Sequence, residues 1–187
     1  MSEWIKRTEI DDSLLIERFK NGDQKAFNLL VEKYKRKMYN LIFKMVRNSE
    51  DAKDLSQEVF VKAYRGLNRF EGKSSFYSWL YRIALNLCMN FSRREKFRSF
   101  ISIFELPETR LTTEPAVASV NREKLEDALD KAVLGLPAKQ RMVFVLRYYH
   151  QTPFSEIASV LGQTEGGAKA NYFQAVKKLK KSLAWYA

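Results

Sequence analysis

Cysteine and histidine are almost absent from this chain, which has 187 residues but only one of each, Cys88 and His150. A single cysteine cannot form a disulfide within the chain, which fits a reducing compartment. A zinc site takes about four ligands, mostly Cys and His. A Cys–His nucleophilic pair would have to be these two residues, and no catalytic signature surrounds either. Zinc sites, disulfide frameworks and Cys–His catalysis are therefore excluded, and no metal or cofactor is expected.

A long apolar run is also missing. The first fifteen residues, MSEWIKRTEIDDSLL, carry acids early and no hydrophobic stretch, which argues against a signal peptide. No segment approaches the roughly 20 apolar residues that a membrane-spanning helix needs. We therefore expect a cytoplasmic protein with no direct membrane insertion.

Glycine and proline are scarce as well, with 7 and 4 residues, and alternating strand-like patterns are rare. Helical periodicity dominates instead and predicts an all-α fold. It breaks at ISIFELPETRLTTEPAVASVN (residues 101–121), where two prolines accompany several threonine and serine residues. We expect two helical domains, residues 1–98 and 122–187, joined by a flexible linker over residues 99–121.

Acidic residues are outnumbered, 22 against 33 lysines and arginines, which gives a formal net charge of +11. An excess of this sign favours a polyanionic partner, nucleic acid before an anionic membrane surface. The alternative is a soluble basic protein with no specific polyanionic partner, because net charge bears on association and not on fold.

The N-terminal domain begins with three predicted helices. Asp12 or Ser13 is expected to cap the first, which ends near Asn21 and Gly22, and Ser49 to cap the third. On the third helix one face is apolar at helical spacing, and a different face is mostly polar. The apolar face comprises Ala52, Leu55, Val59 and Ala63, and the other comprises Asp54, Gln57, Glu58, Val61 and Arg65. Viewed alone, the second face is an ordinary solvated surface.

Aromatic rings and cations are interleaved between Phe60 and Arg82, where seven aromatic and five basic residues accompany one acid. Single-stranded nucleic acid requires both groups, cations for phosphates and flat rings for unstacked bases. Small polar groups in the loop at residues 71–75 can hydrogen-bond the edge of an extruded base. Core packing is the alternative, and it is expected to account for Phe60, Phe76 and Trp79.

The C-terminal domain carries a predicted helix-turn-helix. FSEIASVLG (residues 154–162) is a short amphipathic helix ending at Gly162, and Thr164 is the expected cap of the next helix. A helical wheel separates an apolar side of that next helix from a basic, amide-bearing face. This face comprises Ala170, Phe173, Gln174, Lys177 and Lys181. It fits a recognition helix in the major groove of DNA, although a helical hairpin with a solvated lysine face has the same pattern.

The glycines around that turn could suggest a phosphate-binding loop, but their spacing rejects it. The motif needs Gly, four residues, Gly and then Lys followed by Ser or Thr, between a strand and a helix. Here Ala168 follows Gly167, Lys169 comes one place late, and Ala170 has no hydroxyl for a metal. No nucleotide hydrolysis and no small-molecule substrate are expected.

Four segments follow one another along the chain: GDQKAFNLLVEKY (22–34), DLSQEVFVKAYRGLNRF (54–70), FYSWLYRIALN (76–86) and LPAKQRMVFVLRYY (136–149). In this order they resemble the extracytoplasmic-function (ECF) type sigma factors of bacterial RNA polymerase, in particular the envelope-stress group. The resemblance implies a two-domain initiation factor without enzymatic activity. Its implied partners are core polymerase, through the β′ clamp helices and the β flap, promoter DNA, and an anti-sigma factor that can hold it at the membrane.

The roles that the resemblance implies for single residues fall into three groups. The first domain would dock on the β′ clamp helices through Asp54, Gln57, Glu58 and Val61. It would melt the −10 element and capture a flipped base with Phe70, Gly72, Lys73, Ser74, Ser75 and Asn86, surrounded by Lys62, Tyr64, Arg65, Tyr77 and Trp79. The second domain would read the −35 duplex with Thr164, Gly166, Gly167, Lys169, Ala170, Asn171, Phe173, Gln174 and Lys177.

Lys169, Asn171 and Gln174 depart from the family, whose members often carry arginines on this helix. Arginine reads guanine, whereas asparagine and glutamine favour adenine, so the promoter consensus of the relatives is not transferred. A stand-alone helix-turn-helix regulator is the main alternative, and a nucleic-acid enzyme is a more distant one. A regulator of that kind has no need for the rings and cations interleaved in residues 60–82.

Overall fold

A computed structural model describes residues 10–103 and 122–184, with side chains for residues 10–95 and 125–184. Within these residues eight α-helices and no strand are present, which confirms the predicted all-α fold. The helices are α1 (Asp12–Lys20), α2 (Gln24–Val46), α3 (Ser49–Gly66), α4 (Phe76–Ile103), α5 (Arg122–Leu134), α6 (Ala138–Phe144), α7 (Phe154–Leu161) and α8 (Glu165–Ser182). Two short helical turns, Leu67–Arg69 and Val145–Tyr149, follow α3 and α6. None of the described helices is both long enough and apolar enough to cross a membrane.

Helices α1 to α4, called the N-terminal bundle below, pack through their apolar faces. The predicted apolar face of α3 is buried, and its polar face is exposed, as expected. Completely buried side chains at the centre of the bundle include Leu30, Met38, Leu41 and Leu80, and each contributes roughly 1.5–3 kcal/mol. Cys88 is also fully buried, and burial raises the pKa of its thiol to about 12. The lone cysteine is therefore a packing residue.

The caps of α1 and α3 differ by one residue from the predictions. Asp11, and neither Asp12 nor Ser13, caps α1 by accepting from the Ser13 amide at 3.3 Å. Asn48, and not Ser49, caps α3 by accepting from the amides of Glu50 and Asp51. The Asp12 carboxylate instead accepts from Lys33 Nζ at 2.7 Å. A tertiary contact therefore engages a side chain that the local sequence pattern predicted as a helix cap.

Helix α4 runs to Ile103, five residues past the predicted domain end at residue 98. The remaining part of the predicted linker, residues 104–121, lies outside the described residues.

Helices α5 to α8 are called the C-terminal bundle. The predicted helix-turn-helix forms from α7 and α8: Gly162 ends α7 in the left-handed region at φ 62°, and Thr164 caps α8 by accepting from the Gly167 amide at 3.1 Å. Val143, Leu146, Ile157 and Ala175 are completely buried between the helices. The α7–turn–α8 unit therefore packs on the apolar core of the C-terminal bundle, and the outer face of α8 is exposed.

One polar cluster joins the two bundles at the end of α2. Asp130 of α5, whose side chain is 7% exposed, pairs with Lys44 Nζ at 2.8 Å and also with Arg47. Tyr149 of the same bundle donates to this carboxylate. Arg141 of α6, also buried, donates through Nη1 to the Met45 carbonyl at 3.1 Å. A buried carboxylate with several donors and a buried guanidinium on a helix end fix the relative position of the bundles.

A second polar cluster joins α4 to the C-terminal bundle. Ser78 Oγ donates to Glu156 Oε1 at 2.6 Å, and the Tyr81 hydroxyl lies 2.8 Å from His150 Nδ1. One turn further along α4, Arg82 donates to the Ser159 carbonyl at 2.9 Å. One side of the first half of α4, with Ser78, Tyr81 and Arg82, therefore faces the C-terminal bundle.

Candidate nucleic-acid interface

A cluster of aromatic rings stands where the chain passes from α3 to α4. The Phe70 ring lies 5.1 Å from the Trp79 ring and 6.2 Å from the Phe76 ring, between centroids. Phe76 is buried, as expected for a core residue. Phe60 and Trp79, for which the same role was expected, are half-buried and pack against the core, as does Phe70. Lys20 Nζ donates to the Phe70 carbonyl at 2.6 Å and brings a cation to the same place.

The loop before α4 presents small and charged groups beside these rings. Gly72 has φ 71°, a left-handed conformation that favours glycine. Lys73 is 86% exposed and pairs with Glu71. Ser75 is already engaged, because its Oγ accepts from the Ser78 amide at 3.1 Å at the start of α4. Lys73 and the half-buried Ser74 are therefore the loop side chains best placed to meet a strand.

Tyr77 and Tyr64 are less available to nucleic-acid bases than their residue type suggests. The Tyr77 hydroxyl donates to that of Tyr81 at 2.5 Å, and Lys37 Nζ lies 5.5 Å from the Tyr77 ring centroid. Burial is the main cause that raises the pKa of both tyrosines. The Tyr64 ring packs edge-on against Phe19 and Phe27, with centroids 5.2 and 5.1 Å away. Tyr64 therefore belongs to a different aromatic cluster from Phe70.

Asn86 is exposed but separated from the loop. It lies ten residues along α4 from Phe76, about 15 Å at the helical rise. There it lines a cavity of about 350 Å³ between α4 and the C-terminal bundle, together with Arg82, Lys139 and Gln163. None of the loop residues lines this cavity, so the structure does not bring Asn86 and the loop into one pocket.

Helix α3 presents two further surfaces. Lys62 and Arg65 are exposed, and Lys62 Nζ lies 3.5 Å from Glu58 Oε1. Asp54, Gln57 and Glu58 are exposed around Val61, whose side chain is 47% exposed. The acids of this face disfavour a polyanion, because like charges repel.

Helix α8 turns the predicted face outward. Lys169, Ala170, Gln174 and Lys177 are exposed, and Phe173 is 66% exposed. At the start of the helix Gly166 has open space around it, whereas a Cβ at Gly167 would lie 3.1 Å from Thr164 Oγ1. Lys169 pairs with Glu165 at 2.7 Å. The first turn of the helix, the lysines and the apolar side chains share one exposed surface, which can contact phosphates and base edges together.

Asn171 is the exception on α8. Its amide nitrogen donates to Gln163 Oε1 at 3.2 Å and to the Gly167 carbonyl at 3.0 Å, and the residue is half-buried. Because both amide donors are occupied inside the protein, only its oxygen is free to accept a bond.

The contacts between the bundles were not predicted from the sequence. Asp130, Arg141, His150 and Glu156 make them, and no motif marks these residues. The one feature of the sequence that could have drawn attention to this interface is that His150 is the only histidine of the chain.

The fold and the exposed surfaces define an all-helical, DNA-binding protein with two bundles, one presenting a ring-and-cation loop and the other a helix-turn-helix. Comparison with known families agrees: residues 30–98 match the model of Sigma-70 region 2, and residues 126–179 that of Sigma-70, region 4. The chain belongs to the ECF sigma factors of RNA polymerase.

Named relatives cover almost the whole chain. The RNA polymerase sigma-H factor of Pseudomonas aeruginosa is 33% identical over 184 residues, 94% of this chain and 95% of that protein. The ECF RNA polymerase sigma-E factor of Escherichia coli K12 is 35% identical, with 89% of this chain and 91% of that protein covered. Among solved structures, CnrH in complex with the cytosolic domain of CnrY has a TM-score of 0.69 at 25% identity, over 92% of this chain and 97% of that one.

Proposed function

We propose that this chain binds core RNA polymerase and directs promoter-specific initiation, reading a −35 duplex and a −10 single strand without catalysing a reaction itself. The observation that carries the proposal is the presence of two exposed nucleic-acid surfaces of different kinds on two bundles. A stand-alone regulator needs only the second of them. The division of labour follows the proposed domains, residues 1–98 and 122–187, with residues 99–121 as the linker.

The single strand is assigned to the ring-and-cation surface of the N-terminal bundle. Phe70 and Trp79 offer half-buried rings 5.1 Å apart between centroids, and the exposed Arg65 and Lys73 lie five residues before and three residues after Phe70 in the sequence. Each stacked base contributes about 1–3 kcal/mol. Asn86 serves the same strand at a position further along α4. The duplex is assigned to the exposed face of α8, where Gln174 reads a base edge and Lys177 meets a phosphate.

The polymerase is assigned two contacts. The acidic face of α3 around Val61 docks on the β′ clamp helices. The C-terminal bundle meets the β flap through an apolar groove in which Leu125 and Tyr148 are 38% and 51% exposed. CnrH was solved with the cytosolic domain of CnrY, and another structural relative of similar fold with an anti-sigma factor. We extend this type of partner, and a cytoplasmic site of action, to the present chain.

A reconstituted transcription assay tests the proposal. Core polymerase is mixed with the protein and with sheared genomic DNA from its source, and transcript 5′ ends are sequenced. New start sites that share two upstream elements are expected with the wild type. Charge reversal at Glu58 (Glu58→Lys) should remove most of these starts, because it places a cation on the clamp-docking face.

Glu32→Lys is the matched control, since Glu32 is a similarly exposed glutamate of α2 that pairs with Lys35 in an i,i+3 bridge at 2.7 Å. Specific DNA binding without any new start site would instead favour a stand-alone regulator. Equal loss of starts in both variants would contradict the assignment of the α3 face.

A further inference from the structure

Asn171 is tied to the turn of the helix-turn-helix and has no donor left for DNA. Its Nδ2 donates to the Gly167 carbonyl at 3.0 Å, and because a carbonyl only accepts, this bond fixes which end of the amide faces the helix. The second donor goes to Gln163 Oε1 at 3.2 Å. An amide reads adenine bidentately by accepting from N6 and donating to N7. Asn171 cannot supply the second bond and is therefore a positioning residue that joins α8 to the turn.

Lys169 lies on the opposite flank of α8 and has a partner of its own. Its Nζ pairs with Glu165 Oε1 at 2.7 Å, and both side chains are exposed. The guanine edge presents only acceptors in the major groove, N7 and O6. An ionised carboxylate also only accepts, so Glu165 disfavours guanine beside this lysine. Neither member of the pair is therefore expected to select guanine.

Between these flanks α8 presents three exposed side chains, Ala170, Phe173 and Gln174. At about 100° per residue they lie within about 100° of one another around the helix, and Asn171 lies about 60° beyond Gln174. From Ala170 to Gln174 the helix rises about 6 Å, which corresponds to about two base-pair steps of 3.4 Å. Among the described residues none is bonded to the Gln174 amide. These three side chains are therefore placed to meet neighbouring base pairs.

The chemistry of the three side chains matches A·T pairs. Gln174 has both a donor and an acceptor available, which is the bidentate set for adenine N7 and N6. Ala170 and Phe173 carry no polar side-chain group, and such side chains contact the C5-methyl group of thymine. Guanine is read by arginine or lysine, and none of the three is charged.

We propose that α8 reads a short run of A·T base pairs, with Gln174 on adenine and with Ala170 and Phe173 on thymine methyl groups, while Asn171 holds the helix on the turn. This inference rests on the proposed function, because it names the class of sequence that the same helix recognises in the −35 duplex.

Selection of DNA by the polymerase complex tests the inference. Templates carry a start region found in the transcription assay above, with the upstream element randomised. Core polymerase and the full-length chain form heparin-resistant complexes on these templates, and the retained DNA is sequenced. We expect A·T pairs at about two to three adjacent positions. Selection of G·C pairs there would overturn the inference and leave the proposed function standing, whereas the absence of any selected base in this element would contradict the −35 function itself.

Two substitutions locate the residues that read bases. Gln174→Arg should replace one selected adenine by guanine, with a preference of about tenfold, because arginine bonds guanine N7 and O6 together. Asn171→Ala should lower the yield of complexes but keep the same selected bases. Loss of the preference at one position in Asn171→Ala would show that this residue reads a base and would overturn its positioning role. The readout is the order of bases and not the amount of DNA retained, so a change in stability does not imitate either result.

Removal of thymine methyl groups tests the apolar contacts separately. Deoxyuridine in place of one thymine deletes only the C5-methyl group and keeps the base pair. In the selected element this change should weaken retention by the wild type about fourfold, as for one buried methyl group, and the effect should be smaller in Phe173→Ala. Deoxyuridine upstream of the element is the matched control and should have no effect. Equal retention of the thymine and deoxyuridine templates by the wild type, at every thymine of the element, would show that α8 does not read these methyl groups.

Discussion

Single residues of this protein are constrained by backbone geometry as much as by side-chain chemistry. Gly162 joins the two helices of the helix-turn-helix at φ 62°, and a Cβ there would meet no atom within 4 Å. The cost of any other residue at this position is therefore conformational and not steric. Gly166, four residues later, has equal space but an ordinary helical backbone in the first turn of α8.

These two glycines predict opposite effects of one substitution. Gly162→Ala should lower the free energy of unfolding by about 1–2 kcal/mol, the cost of a left-handed conformation for an L-residue. Gly166→Ala should be neutral or stabilising by up to about 1 kcal/mol, because alanine is the better helix former. Urea denaturation followed by circular dichroism measures both, and destabilisation of the two variants by the same amount would contradict the backbone argument.

Residue types could be predicted at the site, but their surroundings could not. The loop at residues 71–75 and the rings near it are legible in the sequence, since cations, glycine and aromatic residues alternate there. Nothing local shows that Tyr64 packs against Phe19 and Phe27, or that the donors of Asn171 are occupied inside the turn. Such contacts depend on which helices become neighbours.

At the scale of elements, periodicity was the strongest source of correct predictions. The burial of one face of α3 and the exposure of one face of α8 both followed from helical spacing, and Thr164 is the cap that was expected. Helix starts were less certain where several capping residues follow one another. Asp11, Asp12 and Ser13 are all good caps by type, and the choice was decided by the bond from Lys33 to Asp12.

A comparison of Lys177 with Lys178 distinguishes a DNA contact made by one face of α8 from the general effect of positive charge on that helix. Both are exposed. Lys177 lies one turn after Phe173, near the middle of the face, whereas Lys178 lies one turn after Gln174, at the edge of the face. Lys177→Ala should weaken duplex binding and reduce the slope of log K against log salt by about 1, as for one lost phosphate contact. Lys178→Ala makes the same charge change at the edge of that face and should reduce the slope by less than Lys177→Ala does. Titrations of a promoter duplex at several salt concentrations measure the slopes, and equal slopes for the two variants would refute the assigned face.

Two exposed asparagines, Asn86 on α4 and Asn40 on α2, permit a similar comparison. Asn86→Ala should reduce open-complex formation by about tenfold, if the lost contact contributes near 1.4 kcal/mol, and leave duplex binding by α8 intact. Asn40→Ala on α2 alters an asparagine that is also exposed and should change neither. Permanganate footprinting of the melted strand reports the open complex. A loss of duplex binding in Asn86→Ala that matches the loss of melting would contradict the separation of the two surfaces.

At the scale of the whole molecule, the sequence predicts two helical units but not how they meet. The polar contacts of the interface are made by single residues distributed over α2, α4, α5, α6, α7 and the turn at residues 145–150, and no motif links them. Asp130 and Arg141 are buried charged groups. Each is hydrogen-bonded to a group more than eighty residues away in the sequence. Helical periodicity, which governs each bundle, carries no information about such pairs.

His150 is a titratable residue of this interface. Its Nδ1 lies 2.8 Å from the Tyr81 hydroxyl, and burial lowers its pKa below the ordinary 6.5, because the charged imidazolium is poorly solvated there. Below pH 6.5 the unfolded chain therefore binds a proton more readily than the folded protein. The contribution of the neutral ring is present above that pH and is lost as the pH falls through the lower folded value.

We expect the free energy of unfolding to decrease between pH 7.5 and pH 5.5, with a weaker decrease in His150→Gln, which does not titrate. Urea titrations at several pH values measure both curves. Carboxylates such as Asp23 and Asp127 have lowered pKa values and titrate at lower pH in both proteins, so the difference between the curves isolates the histidine. Parallel curves would show that protonation of His150 is not linked to unfolding, whereas a steeper curve for the wild type would show that protonation of this ring destabilises the folded protein.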